Sequence, residues 1–169
     1  MLETLVKERR IFIDASSLLA PQSLKTFPNL IQVQKKYRRK INIHQSVADA
    51  LNAAAYDDQD LERKKIAQNS IRQLQELQKE KLLEFRESVE ANSSPAKDIY
   101  QSCSYFRMDV PLLVITQDAD LTADLIALNR QESARGHNVF VKKFNKYGYL
   151  SNVIDPPHNA KPQRASENT

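Results

Sequence analysis

The chain is short of the residues that several common chemistries require. It has one cysteine, Cys103, which excludes an internal disulfide and a cysteine-rich zinc site. Its two glycines, Gly136 and Gly148, cannot build a glycine-rich phosphate loop, which argues against P-loop and dinucleotide-binding functions. The three histidines, His44, His137 and His158, lack metal-ligand spacing. No apolar run is long enough to span a bilayer, and no signal peptide precedes the first predicted strand. A cytoplasmic protein with no membrane partner is therefore expected. The excess of positive charge is small, a formal net +4, compatible with a nucleic-acid partner but weak evidence for one.

What is present is an alternation of short apolar runs and amphipathic stretches. The 169 residues predict one α/β domain over 1–154 and a disordered tail over 155–169, where Pro, Asn, Ser and charge dominate. The most informative stretch is 111–128. Leu112-Leu113-Val114-Ile115 has the length and branching of a strand buried on both faces. The spacing of Leu121, Leu125, Ile126 and Leu128 predicts a helix that continues to about Ala134. Ile11-Phe12-Ile13 is a second strand of the same kind, and Asp14-Ala15-Ser16-Ser17 suits a helix start. Pro21 and Pro28 bracket a predicted break, followed by a short basic helix over 30–40. Strands are expected at Ile41–Ile43, Leu82–Phe85 and Val139–Val141, the last of these closing the fold. Helices are expected over 44–55, from Asp57-Asp58 to about Lys81, and over 96–108. Such alternation implies a central parallel sheet of four or five strands with helices on both faces.

Three carboxylates share an address in that architecture. Asp14 ends one buried strand, Asp118 ends the other, and Asp98 opens the helix between. Ligands of open parallel sheets bind beyond the carboxyl ends of the strands. If the two strands are neighbours, their ends lie about 5 Å apart. Carboxylates that close raise one another's pKa unless a cation keeps them ionised, and Mg²⁺ or Mn²⁺ suits such an oxygen-rich site. An ion of this kind activates water and stabilises the leaving oxygen of a phosphodiester. An Asp between strand and helix is more often only a cap, about three to one for a single residue. Asp120, followed by Leu-Thr-Ala-Asp, fits that role and is also a candidate ligand.

At these residues the sequence resembles the PIN-domain nucleases. The match consists of Ile11-Phe12-Ile13-Asp14-Ala15-Ser16-Ser17, Ala96-Lys97-Asp98-Ile99-Tyr100 and Val114-Ile115-Thr116-Gln117-Asp118-Ala119-Asp120, in the family's order over about residues 9–145. The resemblance implies a three-layer fold and a Mg²⁺- or Mn²⁺-dependent endoribonuclease acting as a toxin or in RNA processing. It also implies RNA and an antitoxin-like protein as partners, with a homodimer as a further option. Asp14, Asp98 and Asp118 would be catalytic metal ligands, joined by Asp120, with Ser16 and Thr116 as support.

One position departs from the family. Its usual Glu in the helix after the second strand is matched here by Ala50, with Asp49 beside it. Adjacent helical residues point about 100° apart, so Asp49 does not replace the Glu automatically. The alternative implied is a weak or inactive PIN-like module that binds protein or RNA. Arg130, Lys142 and Lys143 are candidate RNA contacts, as is the run Lys35-Lys36-Tyr37-Arg38-Arg39-Lys40. Each such run, taken alone, is about twice as often a solvated face. A phospho-acceptor receiver domain also clusters aspartates at strand ends, but the long second crossover argues against it.

Overall fold

The computed structural model describes residues 2–88, 90–131 and 136–153. They form an α/β fold around one six-stranded sheet. In chain order the elements are α1 (Leu2–Glu8), β1 (Arg10–Ile13), α2 (Ala15–Leu18), α3 (Ser23–Tyr37), β2 (Ile41–His44), α4 (Gln45–Ala55) and α5 (Leu61–Lys79). They continue with β3 (Leu83–Arg86), α6 (Pro95–Phe106), β4 (Leu112–Ile115), α7 (Ala119–Asn129), β5 (Val139–Phe144) and β6 (Leu150–Asn152). The strand order is β3-β2-β1-β4-β5-β6. All neighbouring pairs are parallel except β5–β6.

Five strands are parallel, within the expected four or five, and the sixth strand, an antiparallel edge, corrects the expected size of the sheet. β6 returns through a turn in which Gly148 takes φ 93°, where a Cβ would meet the Asn29 side chain at 2.8 Å. The expected tail, 155–169, lies outside the described residues. So do residues 132–134, at the expected end of the helix that here stops at Asn129. The break expected between Pro21 and Pro28 is absent. α3 begins at Ser23 and runs through Pro28, held by Phe27 and Leu30 in the core. The lost N–H of Pro28 removes one helical bond without ending the helix. α3 stops at Arg38, whose left-handed φ of 51° turns Arg39 and Lys40 toward β2. The acidic start of α5 is Asp60, not Asp57 or Asp58, and its side chain accepts from the Arg63 N–H.

β1 and β4 are central neighbours, as their apolar content predicts, with Ile11 opposite Leu113 and Ile13 opposite Ile115. Alternation sorts their side chains onto two faces. Ile11, Ile13, Leu113 and Ile115 pack with Phe27, Leu30, Leu51 and Leu77 from α3, α4 and α5. Phe12, Leu112 and Val114 pack on the other face with Ile99 and Cys103 of α6 and Leu121 and Leu125 of α7. Both faces are thus covered by helices around the strand ends that carry Asp14 and Asp118. Among the described residues no helix is long and apolar enough to cross a membrane.

Candidate functional site

Asp14 leaves β1 and opens α2 with an extended backbone, φ −90° and ψ 152°. Its own side chain does not cap that helix. The carboxylate is 2% exposed, and its Oδ2 accepts from Ser16 Oγ at 2.6 Å and Thr116 Oγ1 at 2.8 Å. Those hydroxyls are themselves held. Ser16 Oγ accepts from the Gln117 N–H and Thr116 Oγ1 from the Asp118 N–H. The pairing of β1 with β4 is what makes this network possible, because it places Thr116 beside Asp14. Gln117 pins the same turn to β5 by bonding both the carbonyl and the N–H of Phe144.

Asp118 is half-buried and caps α7. Its Oδ1 accepts from the N–H groups of Asp120 at 2.8 Å and Leu121 at 3.0 Å. The cap is therefore Asp118, not Asp120, which is exposed in the first helical turn. A carboxylate in this place is favoured by the unbonded N–H groups at the helix start. Asp14 and Asp118 line one open cleft of about 460 Å³, with Ser16, Ala50, Arg63 and the Ser94-Pro95-Ala96 start of α6.

Asp98 goes elsewhere. It is 4% exposed, and three serines donate to it: Ser46 from α4 and Ser88 to Oδ2, and Ser93 to Oδ1, the last two at 2.6 Å. Burial by itself would raise the Asp98 carboxyl, but the bonds from Ser46, Ser88 and Ser93 and the nearby His44 outweigh it and leave it below its ordinary value. It lines a separate cavity of about 200 Å³ with His44, Glu87 and Ser102. His44 stacks on Phe12 with ring centroids 5.7 Å apart, and its Nε2 lies 2.7 Å from Ser102 Oγ. Burial pushes the His44 imidazole down despite Asp98, with Arg86 adding to the effect, so the ring is held neutral.

The other candidates scatter. Asp49 is exposed and accepts from Gln45 on its own helix, while Ala50 faces the cleft in the position matched to the family Glu. Lys143 lines a cavity with Thr116 and Gln117, next to the Asp14 network. Lys142 donates to Asn152 across the β5–β6 pair. Arg130 follows α7 as its carboxyl-terminal cap residue.

Among the described residues, no three His, Cys, Asp or Glu side chains form a group able to hold a metal ion. The arrangement explains why. Asp98 spends both oxygens on hydroxyls, Ala50 offers no ligand, and Arg63 brings a fixed positive charge to the cleft. The three-carboxylate shell for Mg²⁺ or Mn²⁺ thus does not fit the residues as they stand. Sequence reasoning missed the serines around Asp98, which come from α4 and from the connection between β3 and α6 and carry no motif. The run Arg63-Lys64-Lys65 is a candidate phosphate contact from its charge alone, but nothing in the run indicates that Arg63 belongs to the cleft. No protein-family model matches the chain, and no curated protein matches it significantly.

Proposed function

We propose that this chain is a PIN-like module that binds RNA without cutting it. The observation that carries the reading is the state of Asp98. Three serine hydroxyls hold its carboxylate ionised, doing what a divalent cation would do in a catalytic shell. The cleft that keeps Asp14 and Asp118 has Ala50 where the resembled family has its Glu, and it has Arg63 on its wall. Arg63 in the cleft and Lys143 in the cavity lined by Thr116 and Gln117 are suited to phosphate oxygens, Arg through its planar fork of donors. RNA held this way is bound mainly through its backbone, so affinity falls steeply with salt and depends little on sequence.

The test is fluorescence anisotropy with a labelled single-stranded RNA, with and without EDTA, followed by gel analysis of the same RNA. The expected result is salt-sensitive binding that EDTA leaves unchanged, intact RNA with Mn²⁺, and weaker binding by Arg63→Gln. Ala50→Glu is expected to gain Mn²⁺-dependent cleavage if the scaffold is that of a nuclease. Cleavage by the wild type that EDTA stops and Asp118→Asn abolishes would overturn the reading.

That second outcome corresponds to a metal-dependent ribonuclease, either a toxin or a processing enzyme. One observation favours it. Asp14 Oδ1 and Asp118 Oδ2 take no hydrogen bond from the described residues, and both side chains line the same cleft.

A further inference from the structure

The second sheet face is covered unevenly. α6 and α7 pack on Phe12, β4 and β5, while the adjoining part of β2 and β3 carries polar side chains. Strand register puts Phe12 beside Asn42 and Asn42 beside Glu84. Alternation then places Arg10, Lys40 and Arg86 on the same face. Arg38 and Arg39 join from the end of α3, and together these residues line a cavity of about 410 Å³. That volume falls in the range of ligand sites, roughly 300–1,000 Å³.

The cavity is rich in donors and poor in acceptors. Arg10, Arg38, Arg39 and Arg86 form no ion pair among the described residues. Glu84 is the one carboxylate in the lining, and it pairs with Lys40 at 3.4 Å. Asn42 is already engaged at both ends of its amide. Its Nδ2 donates to the Ile11 carbonyl and its Oδ1 accepts from Arg86 Nε. The aromatic surface is also taken, because the Arg10 and Arg86 guanidiniums lie 4.6 and 4.5 Å from the Phe106 ring centre. Stacking uses only the flat faces of the guanidiniums, so Arg10 and the two terminal nitrogens of Arg86, whose Nε is bonded to Asn42, keep N–H donors for an oxyanion. The two cations also repel each other. Burial lowers the pKa of Arg86, and Arg10 lowers it further. A multiply charged anion between them would relieve that repulsion.

We propose that this pocket is a site for a terminal phosphate or pyrophosphate group, recognised by charge and donor geometry and not by base. Such a group is supplied either by a free phosphorylated compound or by the 5′ end of an RNA. The site is separate from the Asp14 cleft and stands or falls independently of the RNA-binding reading. A fork of guanidiniums matches phosphate oxygens pairwise, which is why arginine outnumbers lysine here.

Calorimetry with inorganic pyrophosphate tests the site on the full chain. The wild type is expected to bind saturably, and Arg86→Gln to lose roughly tenfold or more in affinity. Arg86 also holds Asn42, so Lys40→Gln provides a loss at an exposed position and Glu84→Gln provides a gain. Removing the one opposing carboxylate should tighten binding by roughly two- to fivefold, which a misfolded variant cannot imitate. Lys65→Gln removes the same charge from an exposed position away from the pocket and should behave as wild type. Paired RNAs with 5′-phosphate and 5′-hydroxyl ends then separate the sources. A preference for the phosphorylated end, lost in Arg86→Gln, assigns the group to RNA. Equal binding of the two RNAs alongside saturable pyrophosphate binding assigns it to a free compound. No saturable pyrophosphate binding, or pocket variants indistinguishable from Lys65→Gln, would overturn the proposal.

Discussion

At the carboxyl ends of β1 and β4, Asp14 and Asp118 are bonded to hydroxyls and backbone N–H groups. Beside the β2–β3 part of the second sheet face, four arginines from β1, β3 and the end of α3 lie without a carboxylate partner among the described residues. The contrast follows from what each group needs. A carboxylate is a compact acceptor, and short Ser and Thr side chains or a helix start can satisfy it from within the fold. A guanidinium carries five donors in a plane, and resting it on a ring satisfies none of them. At the acidic end the fold itself supplies donors to each carboxylate, while the guanidiniums of the basic pocket keep donors that no carboxylate among the described residues takes up. The two regions meet at Phe12, whose ring stacks on both His44 and Phe106 and lies 5.9 Å from the Arg86 guanidinium.

The largest effect is expected from breaking that junction. Phe12→Ala should cost about 3–5 kcal/mol of stability, since the ring is fully buried, and should weaken pyrophosphate binding in whatever folded protein remains. Urea unfolding followed by calorimetry checks both.

Next comes the internal solvation of Asp98. Asp98→Asn should cost about 1–3 kcal/mol at pH 7, because hydrogen bonds to a charged acceptor are lost. The carboxyl is depressed in the folded state, so the unfolded chain binds the proton more readily. Its contribution is complete above the ordinary value of 3.8 and disappears as pH falls through the lower folded value. His44 behaves with the same sign from a higher starting point, its contribution declining as pH drops below the ordinary 6.5. Stability measured from pH 8 to pH 3 should therefore show two declines, with Asp98→Asn removing the lower and His44→Gln the upper. One unchanged profile for all three proteins would mean that neither group is held as the structure indicates.

A smaller effect separates the roles of the cleft carboxylates. Asp118→Ala should cost about 1 kcal/mol through loss of the α7 cap, whereas Asp118→Asn, also a good cap, should be close to neutral. Thermal melts distinguish the two variants. The smallest change in stability is expected in the basic pocket. Lys40→Gln breaks only an exposed pair with Glu84, worth about 0–1 kcal/mol, while its effect on pyrophosphate affinity should be plain. A protein whose folding depended strongly on Lys40 would erase the contrast between a settled acidic end and an open basic one.

Much of the sheet was legible in the residues themselves. Leu112–Ile115 and Ile11–Ile13 announce buried strands because no polar side chain interrupts them, and such strands belong at the middle of a parallel sheet. The antiparallel β6 was not legible, since Leu150-Ser151-Asn152 is short and half polar and becomes a strand only by pairing with β5. The same limit applied at the site. Asp14 and Asp118 could be placed at one sheet end from strand ends alone, and both do line one cleft. Asp98 shares the helix-start signature, yet its direction depends on serines at 46, 88 and 93 that the fold gathers around it.

By itself, then, the sequence determined the α/β alternation, the two central strands and the acidic corners where they end, because these depend on local periodicity and on burial of apolar runs. Tertiary structure alone decided which polar groups meet. It turned Asp98 to hydroxyls, set Ala50 and Arg63 on the wall of the cleft, and gathered arginines from β1, β3 and the end of α3 around one pocket, two of them over one phenylalanine ring. Such encounters depend on strand register and on one left-handed residue at Arg38, and no spacing within a single segment records them.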